Sequence, residues 1–512
     1  MTSAASSNDQ DIAALAKGGR TNILGFVLRL AARIPFLILG TRYYGPEALG
    51  RFAIAVLAVE FVAQLATLGL RRGLAEILSR EEKPPAQIVA DAMLVGMIAS
   101  AIGAALLIAV PQIMFPNSAI NGFDRFLPIV IFAIVATDIA LAALAYRFDI
   151  ASAVRARAVV EPWTISIMAG LFALPLMPFY SLRDGLIISY ILSMLAAMLT
   201  AFWPLFKSYG LPWGWRPKPA TLVMVARRNM PLAAADAAEW GSRRLDLFIL
   251  GLFATPAIAG IYYTAQQIAS LPQKLKTSFD PILSPVITAN LKQKNYGAIA
   301  RQVGQVGFWI IAAQTAIALA LGIPGEAVMG LFGPEFVGGT GAVVFLLAAE
   351  VAAATAVVSE AALVYMARHR NLLISLFTLG LQVVLSLILI HAVDWVGIKA
   401  ESRGLAQAAA VAMALMLSLG IGSLIKARLL SRLLGESISI WRWALVWAVA
   451  AATIVGIAAT YIPEWAELTI GIPAILAVYA FIIWTRGFGE DDRVLFRKQE
   501  KNSAEEKPEA AA

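Results

Sequence analysis

Arg29 and Arg33 stand four residues apart inside the apolar run 20–41. Asp236, Glu239, Arg243 and Asp246 follow at steps of three, four and three inside the run 230–252, with Arg244 beside Arg243. Charges spaced by three or four share one face of a helix. A charge at the centre of a bilayer costs about 2.5–3.5 kcal/mol even on insertion scales, so such a face must meet protein or water. Arginine offers a planar fork of N–H donors that matches phosphate oxygens, and the pattern suits a cationic cavity for a phosphate-bearing substrate. The competing use of the same charges is internal salt bridging that holds helices in register. Arg29, Arg33, Arg243, Arg244, Lys274 and Lys276 are the candidate cavity cations. Lys274 and Lys276, near a helix end, could also snorkel to the interface.

Ion coupling needs a carboxylate that changes protonation in a low-dielectric site. Glu60, placed to reach Arg29, together with Asp138, Asp236, Glu239, Asp246 and Glu350, are the candidates for coupling or for charge pairing. Glu360 lies closer to the helix end, and Arg71 and Arg72 read as topology anchors. Two histidines, His369 and His391, are too few for a histidine-built metal site, and the absence of cysteine excludes disulfides, thiolate metal sites and cysteine nucleophiles. No metal or cofactor is expected.

The elements that must position these residues follow from composition. Of the 512 residues 60% are apolar and only 14% charged, with a mean hydropathy of +0.75. Soluble domains carry about 25% charged residues. This chain lacks the charge to cover soluble surfaces and reads as an all-α polytopic membrane protein. A bilayer core about 30 Å thick needs roughly 20 apolar residues per helix. Such runs fall near 20–41, 51–74, 87–110, 126–146, 160–178, 185–205, 230–252, 259–283, 302–322, 339–365, 371–393, 404–425, 441–461 and 468–485. That makes about 14 transmembrane helices, of which 160–178 has the weakest pattern because of Pro162, Pro175 and Pro178. With the first residues placed in the cytoplasm, 29 of the 41 Lys and Arg fall in cytoplasmic segments and 6 in outer loops. The positive-inside rule favours that topology, with both ends inside. The polar first 20 residues carry no pattern of a cleaved signal peptide. The net charge of +8 is then a matter of topology, and nucleic acid is not an expected partner. No P-loop motif occurs, so transport would draw on an ion gradient, the membrane potential or a downhill substrate.

The chain also repeats itself. Arg33 and Arg244 each stand seven residues before the glycine of an Ile-Leu-Gly triplet, Gly40 and Gly251. Each triplet is followed by P-x-x-x-G-x-[FY], at Pro46–Phe52 and Pro256–Tyr262. Both copies run in the same direction, which implies parallel repeats about an axis along the membrane normal. The expected plan is two pseudo-symmetric six-helix lobes, 20–205 and 230–425, plus two C-terminal helices at 441–485. A cytoplasmic segment 1–19, a basic linker 206–229, a cytoplasmic loop 426–440 and a disordered cytoplasmic tail 486–512 complete it.

The outer turn R-x-Y-G-P-E-x-x-G-x-[FY] (Arg42–Phe52), the helix end LATLGLRRGLAEILSR (65–80) and LFGPEFVGG (331–339) resemble the polysaccharide transporter family. These are the O-antigen and exopolysaccharide repeat-unit flippases of the multidrug/oligosaccharidyl-lipid/polysaccharide superfamily. The resemblance implies an inner-membrane protein that alternates access and moves polyprenyl-pyrophosphate-linked glycan to the periplasmic face. The lipid bilayer is its expected setting, two lobes in one chain make a monomer sufficient for alternating access, and a polysaccharide polymerase and export proteins are the partners that the resemblance would suggest, the sequence leaving open whether it works beside them or alone. By analogy with the lipid II flippases of that superfamily, the helices of 441–485 would help to form a groove for the lipid tail. No bond is broken, so no enzyme activity is expected. Two readings from the same superfamily remain open: a lipid II flippase, to which the same pyrophosphate logic applies, and a multidrug or cation antiporter, which would want an acidic aromatic cavity. A membrane glycosyltransferase would call for a large outer loop, and the longest here are about 15–20 residues.

Overall fold

The computed structural model describes residues 34–80, 83–120, 122–175, 181–182, 184–438 and 441–489. Among the described residues every regular element is helical. Lipid leaves no partner for an open backbone N–H or C=O, so a chain of apolar runs satisfies its backbone within helices. The first seven are α1 (34–44), α2 (Gly45–Ala66), α3 (Leu70–Leu78), α4 (Pro85–Ala109), α5 (Val130–Tyr146), α6 (150–173) and α7 (Gly185–Tyr209). Next come α8 (Pro219–Gly241), α9 (Leu245–Phe253), α10 (Pro256–Lys292), α11 (Tyr296–Gly322) and α12 (Thr340–Met366). The last are α13 (Arg368–Trp395), α14 (Ala400–Leu434), α15 (Trp443–Ala459) and α16 (Glu464–Gly487). Thirteen of the 14 expected spans coincide with one of these helices or with a broken pair, the first, 20–41, lies mostly outside the described residues, and the protein is an all-α polytopic membrane protein.

Helices α2, α4, α5, α6 and α7 pack on one another, and α10 to α14 pack on one another, which makes two lobes. The lobes meet most extensively where α2 crosses α10. That crossing is built by the repeated motif itself. A Cβ added at Gly50 would overlap the carbonyl oxygen of Pro256 and the amide of Gly260, and one added at Gly260 would overlap the carbonyl of Pro46. Two glycines at equivalent places in the repeats thus bring two backbones into contact, the small-residue packing that membrane helices use in place of hydrophobic burial.

Two spans are not continuous. Between α2 and α3 the chain turns through Leu68 (φ 49°) and Gly69 (φ 69°). Between α8 and α9 it leaves the helix at Ser242–Arg244, and Arg244 takes φ −138°. The two halves of this seventh span sit differently. α8 packs on α2, α3 and α4 of the first lobe and on α13, whereas α9 packs on α10, α13 and α14 of the second lobe and on α2. The weak span at 160–178 begins earlier than expected, at residue 150, and ends at Ala173. Its helix includes a π-helical stretch, Arg155–Val160, which rotates the residues on either side relative to a regular helix.

α15 and α16 pack on each other and on α11. Tyr479 Oη donates to the Ala312 carbonyl at 3.0 Å, and Arg442 donates to the carbonyl of Gly487 while lying over the Phe308 ring. Trp447, Ile454 and Phe481 remain exposed on this pair, as lipid-facing side chains are.

Candidate functional site

The break in the seventh span puts two arginines side by side in non-helical chain, and they part to opposite lobes. Arg243 Nη1 lies 2.8 Å from Glu350 Oε1 on α12, within the second lobe. Arg244 pairs with Glu60 on α2, across the lobe boundary. The other oxygen of Glu60 accepts a hydrogen bond from Tyr190 Oη on α7 at 3.1 Å. Arg244 also stands 5.0 Å from the Trp240 ring centroid, and Trp240 packs at 5.5 Å on Phe61, the neighbour of Glu60. The Arg244 side chain is 42% exposed against 26% for Arg243, so the cross-lobe arginine is the more open of the two.

Beside them a cavity of about 40 Å³ is lined by Arg243, Asp246, Gln266, Ser270, Gln273 and Glu350, among others. That is room for one or two waters or a small cation. Asp246 is fully buried and accepts hydrogen bonds from Tyr262 Oη at 2.6 Å and from Gln266 Nε2 at 3.0 Å. Its hydrogen-bond donors are neutral, and Arg243 is the cation of the same cavity. Among the described residues no three His, Asp or Glu side chains converge as metal ligands.

The expectation that Asp236, Glu239, Arg243 and Asp246 share one helix face does not hold, because the turn at Ser242–Arg244 interrupts the helix between them. Asp236 and Glu239 instead meet Arg72 of α3, at 3.0 and 2.8 Å. Arg72 is therefore a partner of the seventh span rather than a free topology anchor. On the same side Arg228 pairs with Glu76 at 2.6 Å, and a Cβ at Gly73 would overlap Asn229. These contacts seat α8 on the first lobe. Glu60 pairs with Arg244; Arg29, its expected partner, lies with Arg33 outside the described residues. Lys274 and Lys276 belong to α10, and their side chains also lie outside the described residues.

Asp138 on α5 pairs with Arg157, which falls between the expected spans 126–146 and 160–178. Arg157 also meets Glu161 at 2.8 Å and projects from the π-helical stretch. The spacing of Arg157 and Glu161, four residues apart, was the available signal. At the other end of the bundle, Asn117 Nδ2 donates to the carbonyls of Gly251 at 2.8 Å and Ala254 at 3.0 Å. It thereby satisfies the open C-terminal carbonyls of α9 from the opposite lobe. Arg42 Nη2 reaches the carbonyl of Leu331 at 2.7 Å in the same way. No sequence signal identified either contact.

Two lobes of helices that meet at a charged, broken span make a multi-pass membrane protein with its buried charges gathered at the lobe boundary. Residues 40–311, just over half of the chain, match the model of the family described as polysaccharide biosynthesis protein, and the chain belongs to that family. The fold is shared with the lipid II flippase MurJ in an inward closed conformation, with a TM-score of 0.67 at 11% identity over 90% of this chain and 98% of that one. It is shared with an inward-facing multidrug resistance MATE transporter, with a TM-score of 0.62 at 16% identity over 80% of this chain and 98% of that one. A third relative is a superfamily transporter from Pyrococcus furiosus described as having a binding pocket of reversed polarity, with a TM-score of 0.54 at 16% identity over 83% and 96% of the two chains. None of the curated proteins matches the chain in sequence.

Proposed function

We propose that the protein is a flippase for polyprenyl-pyrophosphate-linked oligosaccharide repeat units in surface-polysaccharide synthesis. It would carry them across the bacterial inner membrane by alternating access, with both termini cytoplasmic. The observation that carries this reading is the pair Arg243 and Arg244 at the break of the seventh span. Each is held by one carboxylate, Glu350 and Glu60, that a phosphate group can replace. Charge-assisted bonds from two adjacent guanidinium groups suit a pyrophosphate, with two anionic centres side by side. The polyprenyl tail can stay in lipid while the glycan crosses between the lobes. Asp246 and Glu350, sharing a small polar cavity with Arg243, are the groups best placed to take up a coupling proton or cation. Arg29 and Arg33 would add to the same cationic surface, and no chemical step is required of any residue.

Coverage by the MurJ fold of 90% of the chain, against 80% for the multidrug transporter, favours lipid II as the second reading. A gene deletion complemented with wild type, Arg243→Ala or Arg244→Ala separates them. Loss of surface polymer with accumulation of lipid-linked repeat units, unrescued by either variant at normal membrane level, supports the repeat-unit flippase. Accumulation of lipid II with normal polymer supports the second reading.

A further inference from the structure

We infer that the Glu60–Arg244 pair is an internal lock between the lobes, and that a phosphate-bearing substrate opens it by replacing Glu60 on Arg244. This deepens the reading above and rests on it for the identity of the displacing anion. The two arginines share one turn but differ in what their partners hold. Arg243 and Glu350 both belong to the second lobe, so parting them moves no lobe. Glu60 belongs to α2, the helix that makes the main lobe crossing, and Tyr190 of α7 binds its second oxygen. Breaking Arg244 from Glu60 therefore removes the ion pair that ties α2 to the turn at Ser242–Arg244.

That turn is where the lock can act. α8 is seated on the first lobe by the Arg72 pairs, by Arg228–Glu76 and by the close approach of Asn229 to Gly73, while α9 is seated among helices of the second. A span held by both lobes on either side of a non-helical turn transmits a parting of the lobes to that turn. Arg244 sits in it, is the more exposed arginine, and is steadied by Trp240 from the helix before and by Glu60 from the far lobe. An anion that engages Arg244 competes with one carboxylate only. Once displaced, Glu60 keeps its hydrogen bond from Tyr190 and stays with the first lobe. Binding and unlocking are then a single exchange of anions, and an occupied site costs the lock. A ligand shifts such an equilibrium only by its differential affinity for the two states, and here the carboxylate it replaces is the source of that difference.

The chain holds no cysteine, so spin labels can be placed cleanly at Ser79→Cys, at the end of α3, and Glu436→Cys, beyond α14. Both positions are exposed, one on each lobe. The full-length protein in nanodiscs is measured by pulsed dipolar spectroscopy. Wild type without ligand should give one narrow distance distribution, and inorganic pyrophosphate should lengthen it. Glu60→Gln without ligand should lengthen it to the same extent, while Glu350→Gln should not. Arg244→Gln should match Glu60→Gln, and the reversed pair Glu60→Arg with Arg244→Glu should restore the narrow distribution, which separates a lost lock from a lost fold. Glu60→Gln should also bind pyrophosphate about ten-fold tighter, as expected if the pair is closed about nine-tenths of the time. Glu60→Gln leaving the distribution unchanged, or Glu350→Gln opening the protein equally, overturns the lock. If Glu60→Gln opens the protein but pyrophosphate leaves the wild type unmoved, the lock stands and the phosphate reading fails.

Discussion

Gly50→Ala puts a single carbon into the closest backbone approach between the lobes. The added Cβ would overlap the Pro256 carbonyl and the Gly260 amide, and neither can rotate away as a side-chain end could. Ordinary carbon contacts lie at about 3.5–4.0 Å, so α2 and α10 must part by roughly an ångström or more. Overpacking of this kind costs about 1–3 kcal/mol. Gly380→Ala on α13 is the matched control, because a Cβ there meets nothing within 4 Å. Alanine should stabilise that helix by up to about 1 kcal/mol through propensity alone. The 12 tryptophans make intrinsic fluorescence a direct monitor of thermal unfolding in detergent. Gly50→Ala should lower the midpoint, Gly380→Ala should leave it unchanged or raise it, and Gly50→Ala combined with Gly260→Ala should cost less than the sum of the two, since one parting relieves both clashes. A Gly50→Ala protein as stable as Gly380→Ala would refute the crossing as a close backbone contact.

Arg157→Met leaves Asp138 and Glu161 without their cation inside the first lobe and should destabilise by about 3–5 kcal/mol, read as loss of monodisperse protein on size exclusion; Asp138→Asn should cost less. Asp149 caps α6 through the Ser152 amide at 3.1 Å and the Ser152 hydroxyl at 2.6 Å, and those bonds hold its carboxyl below the usual range. Asp149→Ala should cost about 1 kcal/mol at neutral pH. Because the folded-state value is depressed, the difference between wild type and variant should persist through neutral pH and fade only as the pH falls through the carboxylate range, measured as thermal midpoints against pH. Asn117→Ala frees the carbonyls of Gly251 and Ala254 and should shorten cross-linking lifetimes between the lobes at that end of the bundle, with a loss of about 1 kcal/mol.

Hydropathy made the helices legible because lipid demands the same long apolar run of each. The repeat around Pro46 and Pro256 was also legible, but not that its two copies touch: a motif gives equivalence, and only packing gives proximity. The breaks were hidden for a physical reason. Gly241 and Gly69 stand at the two breaks, but a glycine inside an apolar run does not by itself end a helix, and the seventh span breaks where α8 and α9 are seated on different lobes. Reading a continuous helix through that turn placed Asp236, Glu239, Arg243 and Asp246 on one face, whereas three different partners divide them. Arg157 was lost because the sixth helix starts ten residues before its apolar run becomes convincing. The pairing of Glu60 with Arg244 joins residues 184 positions apart, a separation at which spacing carries no information.

We propose that the adjacent arginines at the broken seventh span bind the pyrophosphate of a lipid-linked glycan during its passage. The most direct measurement uses proteoliposomes loaded with a fluorescent polyprenyl-pyrophosphate oligosaccharide, with the fraction reaching the opposite leaflet followed over time. Wild type should transfer the lipid, and Arg243→Ala and Arg244→Ala should each lose that transfer by ten-fold or more at equal reconstitution. Undiminished transfer by both variants would contradict that role and leave those arginines as structural partners of Glu350 and Glu60.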